Sequence, residues 1–169
     1  VVLGEVDIAT EFSKLPFDHL LYTGSTEVGK KVMAAAAPNL TPVTLELGGK
    51  SPVIVLDDVN LESAVNRVMM GKTINAGQTC IAPDYVLIQR PLHQRFIELA
   101  KEWMQEHYPD IANNEDYSYI INQQQFDRVQ GYVESLPADS VYKTTEVAAN
   151  TETRLMPPVI VTEPAADSD

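Results

Sequence analysis

The chain contains one cysteine, Cys80, in a segment that could expose a reactive thiol. It follows Gly77 and Gln78 and precedes Pro83, so an irregular loop is expected around it. A thiolate in such a loop is a candidate nucleophile, provided that its surroundings favour the ionised form. The alternative is a structural role, because unpaired cysteines are often small buried hydrophobic residues. The residues around Cys80 leave both interpretations open.

Glu46 lies at the end of an apolar run, two positions before the glycine pair Gly48 and Gly49. A glutamate at the carboxyl end of a parallel strand faces the crevice where open α/β sheets bind ligands, and a carboxylate there could act as a general base. The two glycines allow positive φ angles and a close approach of another group to the backbone. The alternative is an exposed glutamate ahead of a β-turn.

A glycine-containing segment, residues 24–31, directly follows the apolar run at residues 20–22. A strand, a glycine turn and a helix N-terminus in this order present free N–H groups to a phosphate. The segment nearly matches the P-loop pattern, but Lys31 stands where the magnesium-binding hydroxyl belongs, and Thr26 breaks the G-x-G-x-x-G pattern. We therefore exclude hydrolysis of a nucleoside triphosphate, whereas a phosphate cradle and a plain strand-to-helix turn both remain open.

Short apolar runs alternate with segments of helical period, which is typical of α/β proteins with a largely parallel sheet. The predicted strands are residues 1–3, 19–22, 43–45, 53–56, 85–88 and 159–161. The predicted helices are residues 29–37, 61–75, 92–107 and 123–136. Asn60 is the expected N-cap of the second helix. The acidic tail that begins at Glu163 is expected to be a frayed surface end.

The chain carries 12 basic and 24 acidic residues, a formal net charge of −12. This balance argues against nucleic acid as a partner, because phosphate binding requires clustered basic side chains. The three histidines share no ligand spacing with one another or with the cysteine, so we expect no metal site. No apolar run is long enough to cross a membrane and no signal peptide is recognisable, so we expect no membrane span and a cytoplasmic location.

Three segments in this order resemble the NAD(P)-dependent aldehyde dehydrogenase superfamily. They are residues 22–29 (YTGSTEVG), 44–52 (TLELGGKSP) and 77–80 (GQTC). Glu46 precedes Cys80 by 34 positions, which is the separation that this family shows. The continuation at residues 81–86, IAPDYV, is similar to the branch that contains the class 3 and coniferyl aldehyde dehydrogenases. Each motif is weak alone, but the three together at this spacing are a strong signal.

The resemblance implies a catalytic role for two residues. Cys80 would attack an aldehyde to form a thiohemiacetal, and its backbone N–H would contact the oxyanion. Loss of hydride to the cofactor would leave a thioester, and Glu46 would activate the water that hydrolyses it. The product would be the carboxylic acid of an aromatic, coniferyl-type or longer-chain aldehyde.

The resemblance also implies NAD or NADP as the cofactor. Gly24 and Ser25 would meet its pyrophosphate, and Val28 would pack on its adenine. Leu47 and Gly48 would lie near the nicotinamide. The full set of positions that match cofactor contacts of the family is Thr23, Gly24, Ser25, Val28, Glu46, Leu47 and Gly48.

The architecture that the resemblance implies is α/β, with three layers and a mostly parallel sheet, from part of a Rossmann-like coenzyme domain joined to part of the catalytic domain. Residues 1–78 would be the C-terminal part of the coenzyme-binding domain and residues 79–169 the N-terminal part of the catalytic domain. We expect an internal portion of a longer oxidoreductase that forms a homodimer or homotetramer.

A non-catalytic scaffold or interaction module of the same fold is the alternative function. The presence of both Glu46 and Cys80 argues against it for the complete protein. For this chain by itself we expect little or no turnover, because the family's asparagine of the oxyanion site and part of its cofactor site fall outside the sequence.

Overall fold

Helices and strands alternate along most of the chain in the computed structural model, which describes residues 1–165. The strands are β1 (Leu20–Thr23), β2 (Val43–Glu46), β3 (Ser51–Val55), β4 (Pro83–Ile88), β5 (Val141–Lys143) and β6 (Val159–Val161). The α-helices are α1 (Val6–Phe12), α2 (Thr26–Ala36), α3 (Leu61–Thr73), α4 (Arg90–His107) and α5 (Gln123–Ser135). The chain divides into two units at the junction of Gly49 and Lys50.

The first unit, Val1–Gly49, is built on a parallel pair of strands. β1 lies beside β2, with Leu20 opposite Val43 and Thr23 opposite Glu46. Parallel strands need a crossover that returns the chain to the same end, and α2 provides it. Both strands therefore finish at one edge.

Helix α2 approaches these strands through Gly29. This glycine is buried, and an added Cβ would lie 3.0 Å from Leu47 Cδ2 and 3.7 Å from both Leu45 Cδ1 and Tyr22 Cδ1. A contact of 3.0 Å is closer than carbon atoms normally pack. The absence of a side chain at Gly29 thus sets the distance between the helix and the strands.

The second unit begins at Lys50 and contains another parallel pair. β3 lies beside β4, with Pro52 opposite Tyr85, and α3 joins the two strands. β5 and β6 form an antiparallel pair. The core of this unit gathers around the contact between α3 and α4, and its buried members are Val65, Met69, Phe96, Leu99, Ala100, Trp103, Met104, Ile111, Tyr117 and Leu155.

Local sequence signals explain why α3 and α4 form. Asn60 Oδ1 accepts a hydrogen bond of 2.8 Å from the Ser63 N–H, which makes it the N-cap of α3 as predicted. Helix α4 has a proline in its first turn, where no N–H is needed, and buries an apolar stripe whose members recur at spacings of three and four: Phe96, Leu99, Ala100 and Trp103. The Trp103 Nε1–H donates to Asn66 Oδ1 at 2.8 Å, so the polar atom of this buried indole is satisfied.

The structure confirms the α/β class and most of the predicted elements. The prediction of a strand at residues 1–3 is wrong. These residues are exposed, and no strand within residues 1–165 pairs with them. Helix α1 and strand β5 are additional elements. The strands form three separate pairs within residues 1–165, two of them parallel. The predicted frayed tail lies mostly outside the described residues, which end at Ala165.

Replacing Gly29 by alanine should fail to stabilise the first unit. Alanine favours a helix interior over glycine by about 1 kcal/mol, but overpacking against Leu47 is expected to cost about 1–3 kcal/mol. The control is Gly131→Ala in α5, where an added Cβ meets nothing within 4 Å, so the full helix gain of about 1 kcal/mol is expected. Urea unfolding followed by circular dichroism measures both. Equal stabilisation by the two variants would show that α2 is not packed at its limit.

Replacing Tyr117 by phenylalanine should lower the free energy of unfolding by about 1 kcal/mol at pH 7. The Tyr117 hydroxyl is buried and donates to the Met156 carbonyl at 3.0 Å. Burial, with a smaller contribution from Tyr108, raises the pKa of Tyr117 above its ordinary value of 10.0.

The same shift predicts a pH dependence for Tyr117. The unfolded side chain ionises at about pH 10 while the folded one keeps its proton, so wild type loses stability as the pH rises above 10. The phenylalanine variant lacks this loss, and the difference between the two proteins should narrow between pH 9 and about pH 11. Urea unfolding at these pH values is the measurement, with exposed Tyr85→Phe as the control. A difference that stays constant across the range would contradict the burial of this phenol.

Candidate active site

The carboxyl ends of β1 and β2 bring several predicted site residues together in the first unit. Thr23 and Glu46 are the last paired residues of the two strands and lie opposite each other. The Gly24 N–H donates to the Glu46 carbonyl oxygen at 3.0 Å, which extends the ladder by one bond. The Glu46 side chain is exposed at this edge. The Glu46 carboxylate therefore lies at the end of a strand, as predicted.

The turn between β1 and α2 leads into a helix N-terminus capped by a side chain. Ser25 caps α2, with its hydroxyl accepting from the Val28 N–H at 3.3 Å. Gly24 has a φ angle of 157°, which residues with side chains rarely adopt, and an added Cβ would overlap the Tyr22 hydroxyl, so the position favours glycine. The first N–H groups of an α-helix have no partner within the helix and carry the positive end of its dipole. Val28 is exposed in the first turn, where an apolar ligand ring could rest on it.

The glycine pair after β2 does not use the positive φ angles that glycine allows. The glycines with positive φ in residues 1–165 are Gly24 and Gly77. An added Cβ at Gly48 or at Gly49 would meet no atom within 4 Å. The pair therefore offers bare backbone beside Leu47. Glycine supplies access to the backbone there rather than a turn.

Cys80 belongs to the second unit and lies in a turn between α3 and β4. The thiol-bearing residue is exposed. The turn is closed by the Ala82 N–H, which donates to the Thr79 carbonyl at 3.1 Å. The Cys80 carbonyl accepts from the Ser51 hydroxyl at 3.3 Å, which ties the turn to the start of β3. An exposed thiol on a turn held from both sides suits a nucleophile better than a buried packing residue.

The backbone that leads into this turn has left-handed geometry. Asn75, Ala76 and Gly77 have φ angles of 51°, 52° and 75°. A non-glycine residue in this region costs of order 1–3 kcal/mol, and such strain is concentrated at functional sites. The segment turns the chain sharply after α3 ends at Thr73.

Three charged residues lie near the same turn. Lys50 Nζ and Asp84 Oδ2 are 3.4 Å apart. The Lys72 side chain passes beneath Gly77, where an added Cβ would lie 3.3 Å from Lys72 Cε. Burial lowers the pKa of Lys72 from its ordinary 10.5, with the Asp84 carboxylate opposing this effect and the Lys50 ammonium adding to it.

The sequence did not indicate a separate role for Gln78, which appears there only as a member of the 77–80 motif. Its Nε2 donates to the carbonyls of Asn75 at 3.0 Å and Tyr119 at 3.1 Å, and its Oε1 accepts from the Ile121 N–H at 2.9 Å. Ser51 was missed as well. The partners of these side chains are distant in sequence, so no local pattern could have revealed them.

The predicted residues thus fall into two groups. The strand edge of the first unit carries Thr23, Gly24, Ser25, Val28, Glu46, Leu47 and Gly48. The turn of the second unit carries Cys80. Among residues 1–165, no group of three or more histidine, cysteine, aspartate or glutamate side chains is arranged to hold a metal ion. None of the helices in this range combines the length and apolar character needed to span a bilayer.

Comparison with known proteins relates this geometry to one family. The model of the aldehyde dehydrogenase family matches residues 1–169. The chain is 58% identical over 134 residues to a probable coniferyl aldehyde dehydrogenase of Pseudomonas aeruginosa, covering 79% of this chain and 28% of the relative. It is 49% identical over 136 residues to the dimeric NADP-preferring aldehyde dehydrogenase of Rattus norvegicus, covering 80% of this chain and 30% of the relative.

A solved structure shows the same likeness in three dimensions. The substrate-bound state of Staphylococcus aureus AldH aligns with a TM-score of 0.89 and 35% identity, over 98% of this chain and 36% of that one. The chain thus spans about a third of the length of the proteins that it matches. Since the family model covers the whole sequence and includes the motifs around Glu46 and Cys80, the chain belongs to the aldehyde dehydrogenase family.

Proposed function

We propose that the protein oxidises an aldehyde to a carboxylic acid with NAD⁺ or NADP⁺, with Cys80 as the nucleophile and Glu46 as the general base. The observation that carries this proposal is the exposed thiol of Cys80 on a turn whose carbonyl is bound by Ser51. A thiol in this setting is accessible to a small electrophile and is held in a defined place. Family membership supplies the reaction class.

The first unit offers groups that fit a dinucleotide. The capped N-terminus of α2 presents N–H groups to a pyrophosphate, and Gly24 allows the backbone to approach it closely. The exposed Val28 and the bare backbone at Gly48 suit the two rings, as the family resemblance implies. When bound, the nicotinamide supplies the hydride acceptor that converts an aldehyde adduct into an acyl group on sulfur. The relative named NADP-preferring and the family resemblance both support NAD⁺ or NADP⁺ in this role.

The chain's own residues account for the bond changes. Cys80 Sγ forms a bond to the carbonyl carbon, and the Cys80 N–H donates to the resulting oxyanion. After oxidation, Glu46 takes a proton from water, whose oxygen attacks the thioester carbon. The C–S bond then breaks and the thiolate leaves, which releases the acid and regenerates Cys80.

We infer that the substrate is an aromatic, coniferyl-type or longer-chain aldehyde. Support comes from the relatives named coniferyl aldehyde dehydrogenase, at 58% and 48% identity. The sequence at residues 81–86, which follows the nucleophile, is similar to the same branch.

We also propose a homodimer or homotetramer, and a relative named dimeric supports the dimer. The domain boundary after Gln78 stays a prediction beside the division into units at Gly49 and Lys50.

Replacing Glu46 by glutamine should separate the two halves of the reaction. With the protein expressed from its complete gene, stopped-flow absorbance should show one rapid equivalent of NADH or NADPH, followed by steady turnover about 100-fold or more below wild type, because deacylation lacks its base. Mass spectrometry should find the acyl group on Cys80. Cys80→Ala should remove both phases.

The control for this experiment is Glu5→Gln, an exposed glutamate of the same unit whose side chain makes no capping bond. Its kinetics should equal those of wild type. Turnover by Cys80→Ala at a wild-type rate would refute the proposed nucleophile, and an unchanged rate in Glu46→Gln would remove the proposed base. Absence of all turnover in wild type, with every aromatic and aliphatic aldehyde tried, would instead favour a non-catalytic scaffold.

A further inference from the structure

The Gln78 carboxamide binds the 119–121 segment in the manner of a neighbouring β-strand. It donates to the carbonyl of Tyr119 at 3.1 Å and accepts from the N–H of Ile121 at 2.9 Å. A residue in a parallel ladder makes this same pair of bonds, to the carbonyl of one residue and the N–H two residues later. A side chain therefore takes the place of a backbone partner.

The other edge of the same segment is bound as well. The Ile120 N–H donates to the Arg154 carbonyl at 3.0 Å, and Arg154 Nε donates to the Ile120 carbonyl at 2.9 Å. The polar backbone groups of an extended segment alternate between its two edges, so Gln78 occupies one edge and Arg154 the other. The segment is thus fixed on both sides and can serve as an anchor.

Gln78 is equally fixed to the loop from which it comes. Its Nε2 also donates to the Asn75 carbonyl at 3.0 Å, and Asn75 Nδ2 donates to the Gln78 carbonyl at 3.3 Å. Thr79 follows directly and accepts the bond that closes the turn around Cys80. One carboxamide hence links the start of the cysteine turn to an anchor more than 40 positions away.

We propose that Gln78 is a positioning residue for Cys80, acting by docking the cysteine turn onto the 119–121 segment. The proposal rests on the proposed function for its catalytic meaning, because it assigns the place of the nucleophile. Gln78 touches neither substrate nor cofactor in this role. Its contribution is to restrict the directions in which the thiol can stand.

Two substitutions separate the bonds of Gln78. Gln78→Met keeps the length of the side chain and removes its donor and acceptor. Gln78→Glu keeps an acceptor for the Ile121 N–H and loses the donor to the two carbonyls. The control is Gln130→Met in α5, whose amide donates to Glu134 of its own helix at 2.6 Å.

The first readout is amide hydrogen exchange measured by NMR. In Gln78→Met the Ile121 amide should exchange about fivefold faster or more, because a typical hydrogen bond is lost. In Gln78→Glu it should stay within twofold of wild type. The Ile120 amide, which donates to Arg154, is the internal reference and should stay unchanged in all three variants.

The second readout is the rate of iodoacetamide reaction at Cys80 from pH 6 to 10 in the protein expressed from its complete gene, followed by mass spectrometry of the peptide that contains Cys80. Where the rate no longer rises with pH, both Gln78 variants should react about threefold faster or more than wild type, since a released side chain is open to more approach directions. Gln130→Met should match wild type. The circular dichroism spectrum verifies that each variant is folded.

The outcomes are distinct. An Ile121 amide that is unaffected by Gln78→Met, or a Cys80 reaction rate unchanged in both Gln78 variants, would overturn the positioning role. If the two readouts shift as expected but Cys80→Ala retains turnover, the docking contact stands and the proposed nucleophile fails. Should Gln78→Met not fold, Gln78→Glu still decides the question through the Cys80 rate.

Discussion

Parallel pairing of strands is the constraint on which the rest of the structure depends. Two strands that run in the same direction end at the same edge, and a helix must carry the chain back between them. In the first unit this brings Thr23 next to Glu46, with α2 as the return. In the second unit it sets Ser51 opposite Pro83, so the turn that precedes β4 lies against the start of β3. The candidate chemical groups of both units sit at strand ends for this reason.

The parts of the fold that sequence predicts well are those with a local signal. The stripe of α4 and the Asn60 cap of α3 are encoded within a few residues, and both are confirmed. Helix α1 is only seven residues long and none of its residues is buried, so it lacks the long buried stripe that marks α4. Strand β5 is three residues long and exists through its pairing with β6, which a local pattern does not contain.

The candidate site divides in the same way. Glu46 ends a strand and the Gly24 turn follows one directly, so strand-then-glycine patterns place both at an edge without further information. Gln78 and Ser51 act through partners that are 29 to 43 positions away. Only the folded chain reveals that these side chains hold the cysteine turn. The family motifs mark the residues around Cys80 as a group, but they do not show which residue holds the turn in place and which one reacts.

The backbone from Asn75 to Gly77 has left-handed φ angles and connects helix α3 to the turn that carries Cys80. The chain leaves α3 through these residues, of which Ala76 has a conformation that alanine rarely adopts, whereas asparagine and glycine adopt it more readily. The hydrogen bonds between Asn75 and Gln78 stabilise this conformation. The direction of the Cys80 side chain therefore depends on the hydrogen bonds within residues 75–78 as well as on the position of α3.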